Sequence, residues 1–504
     1  MKNVFHLSLS AAFLFFWGLG VAFGATEVGG TVYLDNVKGS DQFDGSSAIP
    51  GAEGVGPVAS ITHASHILKT CGRLIIANTG IPYRGTLLLM SKGGTPEDPL
   101  IVEGNNATLE GLVLAKPSDW TVEKDGTLSM MWPGSWVGFL VVTNGTPPVF
   151  AKSLKDIKPG EIYYNKSQSG PHPGYYRLPA GKRIEDLKLE VDTGGYGCGV
   201  QIIGSSNIIV RNLKCRYFEN DGFNVQTQCE GLRFEHIEGY LNGDQGFSCH
   251  ATVSCVVIDG NFHNNDSGIA DTVFSRTSFY GVTVTGNRSY GVLFQGGEHS
   301  IVNGLIIDNP ISITLEQASG AEDLPGTTQN PYASCRLFLR NTCVQGGDFG
   351  LKIKGGSSAS VNFCVFRDQP TSLIIADAQS KLHMTNSIVA PKSTAISFPI
   401  GAYWGDYNCW AKGDAEMNGG GDNITDNRIQ PAMERHSIVV DPLFSSKEGP
   451  NVQDNSPVRG KAFVDPSDLP WIRNSGFLDR NYPPQQYPLL YPDLFPDMGC
   501  QVSH

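Results

Sequence analysis

One phrase returns along the middle of this chain, and its spacing limits the fold more than any other feature. Asn220-Asp221-Gly222-Phe223, Asp244-Gln245-Gly246-Phe247, Asp266-Ser267-Gly268-Ile269 and Ser289-Tyr290-Gly291-Val292 place a glycine at intervals of 24, 22 and 23 residues. After each glycine, β-branched and aromatic residues alternate with polar ones, the pattern of a strand with one side buried. Such short strands cannot bury that side alone, so successive repeats must stack as coils of a solenoid.

The composition fits that architecture. Sixty glycines and 30 prolines with only 17% charged residues suit a turn-rich β protein and argue against a helical one. A net charge of −12 speaks against nucleic acid or an anionic membrane surface as partner. At the N-terminus, Lys2, the apolar run from Leu7 to Phe23 and the small-x-small triplet Ala22-Phe23-Gly24 have the form of an export signal cleaved after residue 24. An uncleaved anchor is the alternative. No other stretch approaches the ~20 apolar residues of a spanning helix, so a secreted or periplasmic protein with no membrane span after cleavage is expected, in a monomeric state.

Eleven cysteines do not form a disulfide framework by spacing. Cys343 and Cys364 stand in matching phrases, Asn341-Thr342-Cys343-Val344 and Asn362-Phe363-Cys364-Val365, with Ile388 in a third. The expectation is an inward column of small apolar residues, with a bridge between adjacent coils as the alternative. No paired CxxC metal motif is present.

Five segments follow from the rhythm: the signal (1–24), an N-terminal cap with the first coils (25–111), a small all-β insertion (112–195), the main solenoid (196–400), and a C-terminal cap and tail (401–504). In the first block a helix is expected from Ile61 to Thr70, with strands at Leu74–Ala77, Thr86–Leu89 and Leu100–Gly104. The insertion carries Trp120, Trp132, Trp136, Tyr163-Tyr164 and Tyr175-Tyr176 without coil-length spacing. These aromatics suit the core of a small β module; sugar-stacking platforms are the alternative. A loop from Ala318 to Tyr332 interrupts the coils, and Asp441-Pro442-Leu443-Phe444 and Asp497-Met498-Gly499-Cys500-Gln501 read as closing phrases.

Tyr33-Leu34-Asp35-Asn36, Gly39-Ser40-Asp41 and the stretch Arg73-Leu74-Ile75-Ile76-Ala77-Asn78-Thr79-Gly80 with Tyr83-Arg84 resemble the opening of proteins of the pectate-lyase-like superfamily. The resemblance covers most of the mature chain and implies an all-β, right-handed parallel β-helix. It is specific for the fold and weak for the activity.

Counting from each repeat glycine, positions +1 and +3 point into the coil and +2 and +4 point out. The outward set is Asn224 and Gln226, Ser248 and His250, Ala270 and Thr272, Leu293 and Gln295, then Lys352 and Lys354. Asp271 occupies an inward position held elsewhere by Val225, Cys249, Phe294 and Ile353; a buried carboxylate needs a hydrogen-bond partner or a cation. Two residues before each glycine stand Asn220, Asp244, Asp266, Ser289 and Asp348. A ladder bonding the turning backbone explains them; alternatively Asp244 and Asp266, with Asp221 and Asp271 nearby, bind Ca²⁺ through carboxylate oxygens. His250 and His263 raise the option of a softer metal. Asn224, Gln226, His263 and Gln295 are the candidate substrate-binding residues.

Many members of the resembled superfamily are polysaccharide lyases, which remove the proton α to a uronate carboxylate neutralised by Ca²⁺ or arginine. The resemblance then makes His250, Arg276, Lys352 and Lys354 candidate bases, with Asp244, Asp266 and Asp271 as cation ligands or orienting groups. The stretch Asn242–Phe247 is similar to an Asn-Gly-Asp-Asp-Gly-Phe motif of some β-helix lyases but departs from it at Gln245. The hydrolase branch of the superfamily needs paired carboxylates; its usual motifs are missing apart from a faint echo in Lys352-Ile353-Lys354, and the Asp-Pro-His of β-helix epimerases is missing too. The expectation is an exported protein acting on an extracellular acidic polysaccharide by β-elimination. The alternatives are a glycoside hydrolase and a non-catalytic surface or carbohydrate-binding β-helix.

Overall fold

A computed structural model describes residues 29–132, 139–165, 172–192, 197–318, 334–411, 416–419 and 434–462. The signal segment, Trp136, the expected loop beyond Ala318 and the closing phrase at 497–501 lie outside them. The described chain is a parallel β-helix of about 13 turns. Each coil lays down three short strands, for example Gln245–Cys249, Val253–Ile258 and Asn261–His263, which define a first, second and third face. The first faces stack into an 11-stranded sheet; the second and third faces run together in a 22-stranded one.

The repeat glycine phrase is the first face. Phe223, Phe247, Ile269, Val292, Ile313 and Leu351 lie in register one above another, all pointing inward and buried. Phenylalanines knit the faces together across the interior: Phe234 meets Phe223 and Phe247 edge-on at 6.1 and 5.1 Å.

Two corner devices fix the coil length. Each coil passes from its second to its third face through one left-handed residue: His236, Asp259, Gly281, Asn303, Asn341, Phe363, Asn386 and Tyr407, with φ between 46° and 66°. Asparagine, aspartate and glycine tolerate that conformation, whereas the His, Phe and Tyr are held there by the neighbouring coils. At the next corner a buried ladder runs through Asn242, Asn265, Asn287 and Asn309. The carboxamide oxygen of each later residue accepts the backbone N–H of the one before, at 3.0, 3.0 and 3.1 Å. Asn265, Asn287 and Asn309 use their amide groups on the carbonyls of Gly239, Phe262 and Val284. The column two residues before the glycine is therefore not the principal ladder; asparagines a few residues earlier carry it.

The cysteine column also differs from expectation. Cys343 pairs with Val365 rather than Cys364, and the column continues through Ile388 and Cys409. Phe363 takes the corner position that Asn341 and Asn386 take in the flanking coils, so the matching phrases are offset by one residue, and a one-residue offset reverses the face. Cys364 faces the interior, while Cys343, Val365, Ile388 and Cys409 form an outer patch with Val458 from the C-terminal cap. A Cys343–Cys364 bridge is thereby excluded.

At the N-terminal end, Thr31–Leu34 pairs with Arg73–Ile76, which pairs with Leu100–Glu110. The helix Ile61–Ile67 is capped by Ser60, whose hydroxyl accepts the His63 N–H. It ends before Thr70 because Leu68 turns extended and is itself buried.

Residues 112–192 leave the solenoid as a two-layer β module. A five-stranded sheet (order Val149–Phe150, Glu161–Tyr163, His172–Arg177, Thr127–Trp132, Thr121–Val122) faces a three-stranded one built on Leu189–Asp192. Trp120, Tyr164 and Tyr176 lie in its core with Phe139 and Leu189, so those aromatics are packing residues. Among the described residues no helix is long and apolar enough to cross a membrane.

Candidate functional site

The first face carries a hydrogen-bonded cluster. Asp221 is fully buried at its edge; its Oδ2 accepts Asn224 Nδ2 at 2.7 Å and Ser248 Oγ at 2.6 Å, and its Oδ1 accepts the Gln245 N–H at 2.9 Å. Ser248 Oγ lies 3.2 Å from His250 Nε2, and Thr272 Oγ1 lies 3.2 Å from His250 Nδ1. The pattern assigns the tautomer. Because Ser248 donates to Asp221, it accepts from His250 Nε2–H, which leaves Nδ1 as the lone-pair nitrogen, accepting from Thr272. Burial pushes the Asp221 carboxyl up, opposed by the nearby His250, and burial pushes the His250 imidazole down. The histidine is thus held neutral, and its lone-pair nitrogen Nδ1 can take a proton once the Thr272 hydroxyl turns away.

Adjacent first faces continue this polar strip. Gln226 ends the strand Phe223–Gln226 that carries Asn224, and further along Gln295 Nε2 donates to Glu316 at 2.7 Å, which also pairs with Lys354. In register, Ser248 is followed by Ala270, Leu293, Thr314 and Lys352. Four steps at ~4.8 Å put Lys352 ~19 Å from Ser248. Lys352 and Lys354 therefore share a face with His250 but not a reacting atom.

The other candidates are dispersed. Asp271 points into the interior, fully buried. Its Oδ1 accepts the Cys249 N–H at 3.0 Å and its Oδ2 faces Thr277 Oγ1 at 2.6 Å, which in turn lies 2.7 Å from His299 Nδ1. The strand is not distorted there: a buried partner chain satisfies the carboxyl, and no surface ligand is involved. Arg276 is exposed around the corner, at the start of the second-face strand Arg276–Tyr280. His263 lies on the third face, stacked on Tyr240 at 5.1 Å with Nε2 3.0 Å from Glu238. Hydrogen bonds from His263 and Lys214 hold Glu238 down at about 2 despite its partial burial.

Asp244 and Asp266 occupy the corner beside the β module, where Arg288 donates to the carbonyls of Asn242, Gly243 and Asn264 and stacks on Phe150 at 3.9 Å. Asp266 Oδ1 accepts the Ser289 hydroxyl at 3.1 Å and lies 4.0 Å from Arg288 Nε. Asp221, by contrast, spends both oxygens on protein donors. Among the described residues no three His, Cys, Asp or Glu side chains gather as a metal site. Sequence reasoning passed over Glu316 and His299, neither of which breaks a visible pattern.

The chain was compared with known proteins. No family model matches it, and no curated protein matches it. Solved structures do. A complex of XylC with xylose superposes with a TM-score of 0.50 at 8% identity, over 85% of this chain and 88% of that one. The pectate lyase Pel9A matches with a TM-score of 0.47 at 11% identity, over 94% and 96%. A family 28 exopolygalacturonase of Yersinia enterocolitica matches with a TM-score of 0.29 at 9% identity, over 86% and 79%. The fold shared with the XylC structure is a parallel β-helix.

Proposed function

We propose that this chain is an exported, polysaccharide-active β-helix protein that cuts an acidic polysaccharide by β-elimination, with His250 as the base. The observation that carries the proposal is the His250 cluster: a neutral imidazole, oriented by Ser248 and Thr272 and backed by a buried carboxylate, on the outer side of a long polar face. β-Elimination requires a group that removes the proton α to the uronate carboxylate and is unprotonated at working pH. Arg276, exposed four residues beyond Thr272, is the cation assigned to neutralise that carboxylate. Lys352 and Lys354 are too distant for the chemistry and instead hold the anionic polymer further along the face.

Leu293, half-buried on the same face, offers apolar surface to a sugar ring.

Incubation of the purified protein with pectic, alginate and sulfated polysaccharides tests the proposal. Unsaturated ends, read by ultraviolet absorbance, are expected with at least one uronate polymer. Reducing ends without unsaturation would assign a hydrolase, and binding without cleavage would assign a carbohydrate-binding protein; either outcome overturns the lyase.

A further inference from the structure

The inner corner between the first and second faces places two side chains in contact in every central coil. In the third coil these are Asp271 and Thr277, 2.6 Å apart; in the fourth they are Phe294 and His299, stacked at 3.9 Å. Register carries the same two columns back one coil: Cys249 pairs with Asp271 and Cys255 with Thr277. There the two sulfurs lie 3.6 Å apart, both residues buried.

We infer that Cys249 and Cys255 close a disulfide that staples the first face to the second within one coil. The corner supplies the geometry, because it converges this pair of columns whatever residues occupy them. Reaching the S–S distance needs an approach of about 1.5 Å between two sulfurs that already touch. The bridge encloses His250 and the turn that follows it, and so ties down the strand end carrying that imidazole. Oxidation occurs before the coil buries the thiols. A thiolate of one cysteine attacks a disulfide oxidant and forms a mixed disulfide; the other thiolate then displaces the carrier thiol. One S–S bond forms in the chain, two protons leave the two thiols, and the oxidant's disulfide is reduced to two thiols. The oxidant class is a dithiol–disulfide exchange protein or oxidised glutathione, available on the export route read from residues 1–24.

The bond is independent of the lyase proposal and is tested without substrate. Protein refolded in glutathione buffer of rising oxidised fraction is denatured, alkylated and digested. The expected product is a Cys249–Cys255 linked peptide lighter by two hydrogens than the dithiol form, and each single serine variant should leave the other cysteine open to alkylation. Thermal melting gives a second measure: reductant should lower the midpoint of the wild type and leave a Cys249→Ala/Cys255→Ala double variant unmoved. Alkylation of both cysteines at every glutathione ratio would overturn the inference. So would a link from either one to Cys229, the neighbouring thiol one coil earlier.

Discussion

Asp271, Thr277 and His299 form a buried chain whose proton count can be worked out from geometry. His299 Nε2 lies 2.8 Å from the Gly296 carbonyl and must carry hydrogen. The single Thr277 hydroxyl proton then leaves two arrangements. Either Asp271 is ionised and His299 is a cation, or Asp271 is protonated and donates to Thr277, which donates to a bare His299 Nδ1. Burial selects the neutral arrangement, raising Asp271 from 3.8 to about 7 and lowering His299 from 6.5 to about 4. At 1.36 kcal/mol per pKa unit these shifts correspond to about 4 and about 3 kcal/mol respectively.

The two effects oppose each other. Asp271, with its raised pKa, contributes stability present below about pH 4 and lost as pH rises through about 7. His299, with its lowered pKa, contributes stability present above about pH 6.5 and lost as pH falls through about 4. Between those limits the folded pair holds one proton on Asp271 and the unfolded pair holds one on His299, so the wild type should be nearly flat. Asp271→Asn leaves only the histidine, and its urea midpoint should climb from about pH 4.5 to about pH 6.5. His299→Gln leaves only the carboxyl, and its midpoint should fall over the same interval. If both variants slope the same way, or neither responds to pH, the neutral buried chain is wrong.

Further expectations concern the ladder, the polar strip and calcium. Asn287→Ala removes the acceptor for the buried Asn265 N–H and side-chain amide and should cost roughly 2–6 kcal/mol in urea unfolding, at 1–3 kcal/mol per stranded group. Lys352→Ala with Lys354→Ala should raise KM for a long uronate polymer several-fold and leave kcat within about twofold, as expected where only uniform binding is lost; an equal fall in kcat would place the lysines at the chemistry. Because Asp221 spends both oxygens on protein donors, a strong chelator should leave the initial cleavage rate within about twofold. Complete loss restored by calcium would show that the carboxylates do share an ion.

Much of the fold was legible because a solenoid writes its period into the sequence. Inward Phe223, Phe247, Ile269 and Val292 followed from the glycine spacing alone, since each strand has one interior and the coils repeat it. The corners were less legible. Phe363 takes the left-handed position that Asn341 and Asn386 hold in the flanking coils, and this substitution shifted the cysteine column by a residue and hid its change of face. The site was legible only in part. His250 and Asn224 stand out as polar residues at outward positions, but Asp221 bonds across to the next coil, and residues 24 and 27 apart meet only after stacking. Asp271 broke the pattern visibly, yet its partner His299 lies in the following coil, so the anomaly pointed inward where sequence alone suggested a ligand outside.

The central claim is that His250 removes a proton from a uronate bound along the first face. The most direct test is the rate of unsaturated product from one susceptible polymer, wild type against His250→Ala, with equal urea midpoints establishing that both are folded. The rate should drop about a hundred- to ten-thousand-fold, the usual contribution of a positioned base, and in the wild type it should fall only below the ordinary imidazole range, because burial lowers the His250 pKa. A His250→Ala protein that still forms unsaturated ends within a few-fold of the wild-type rate would contradict the account.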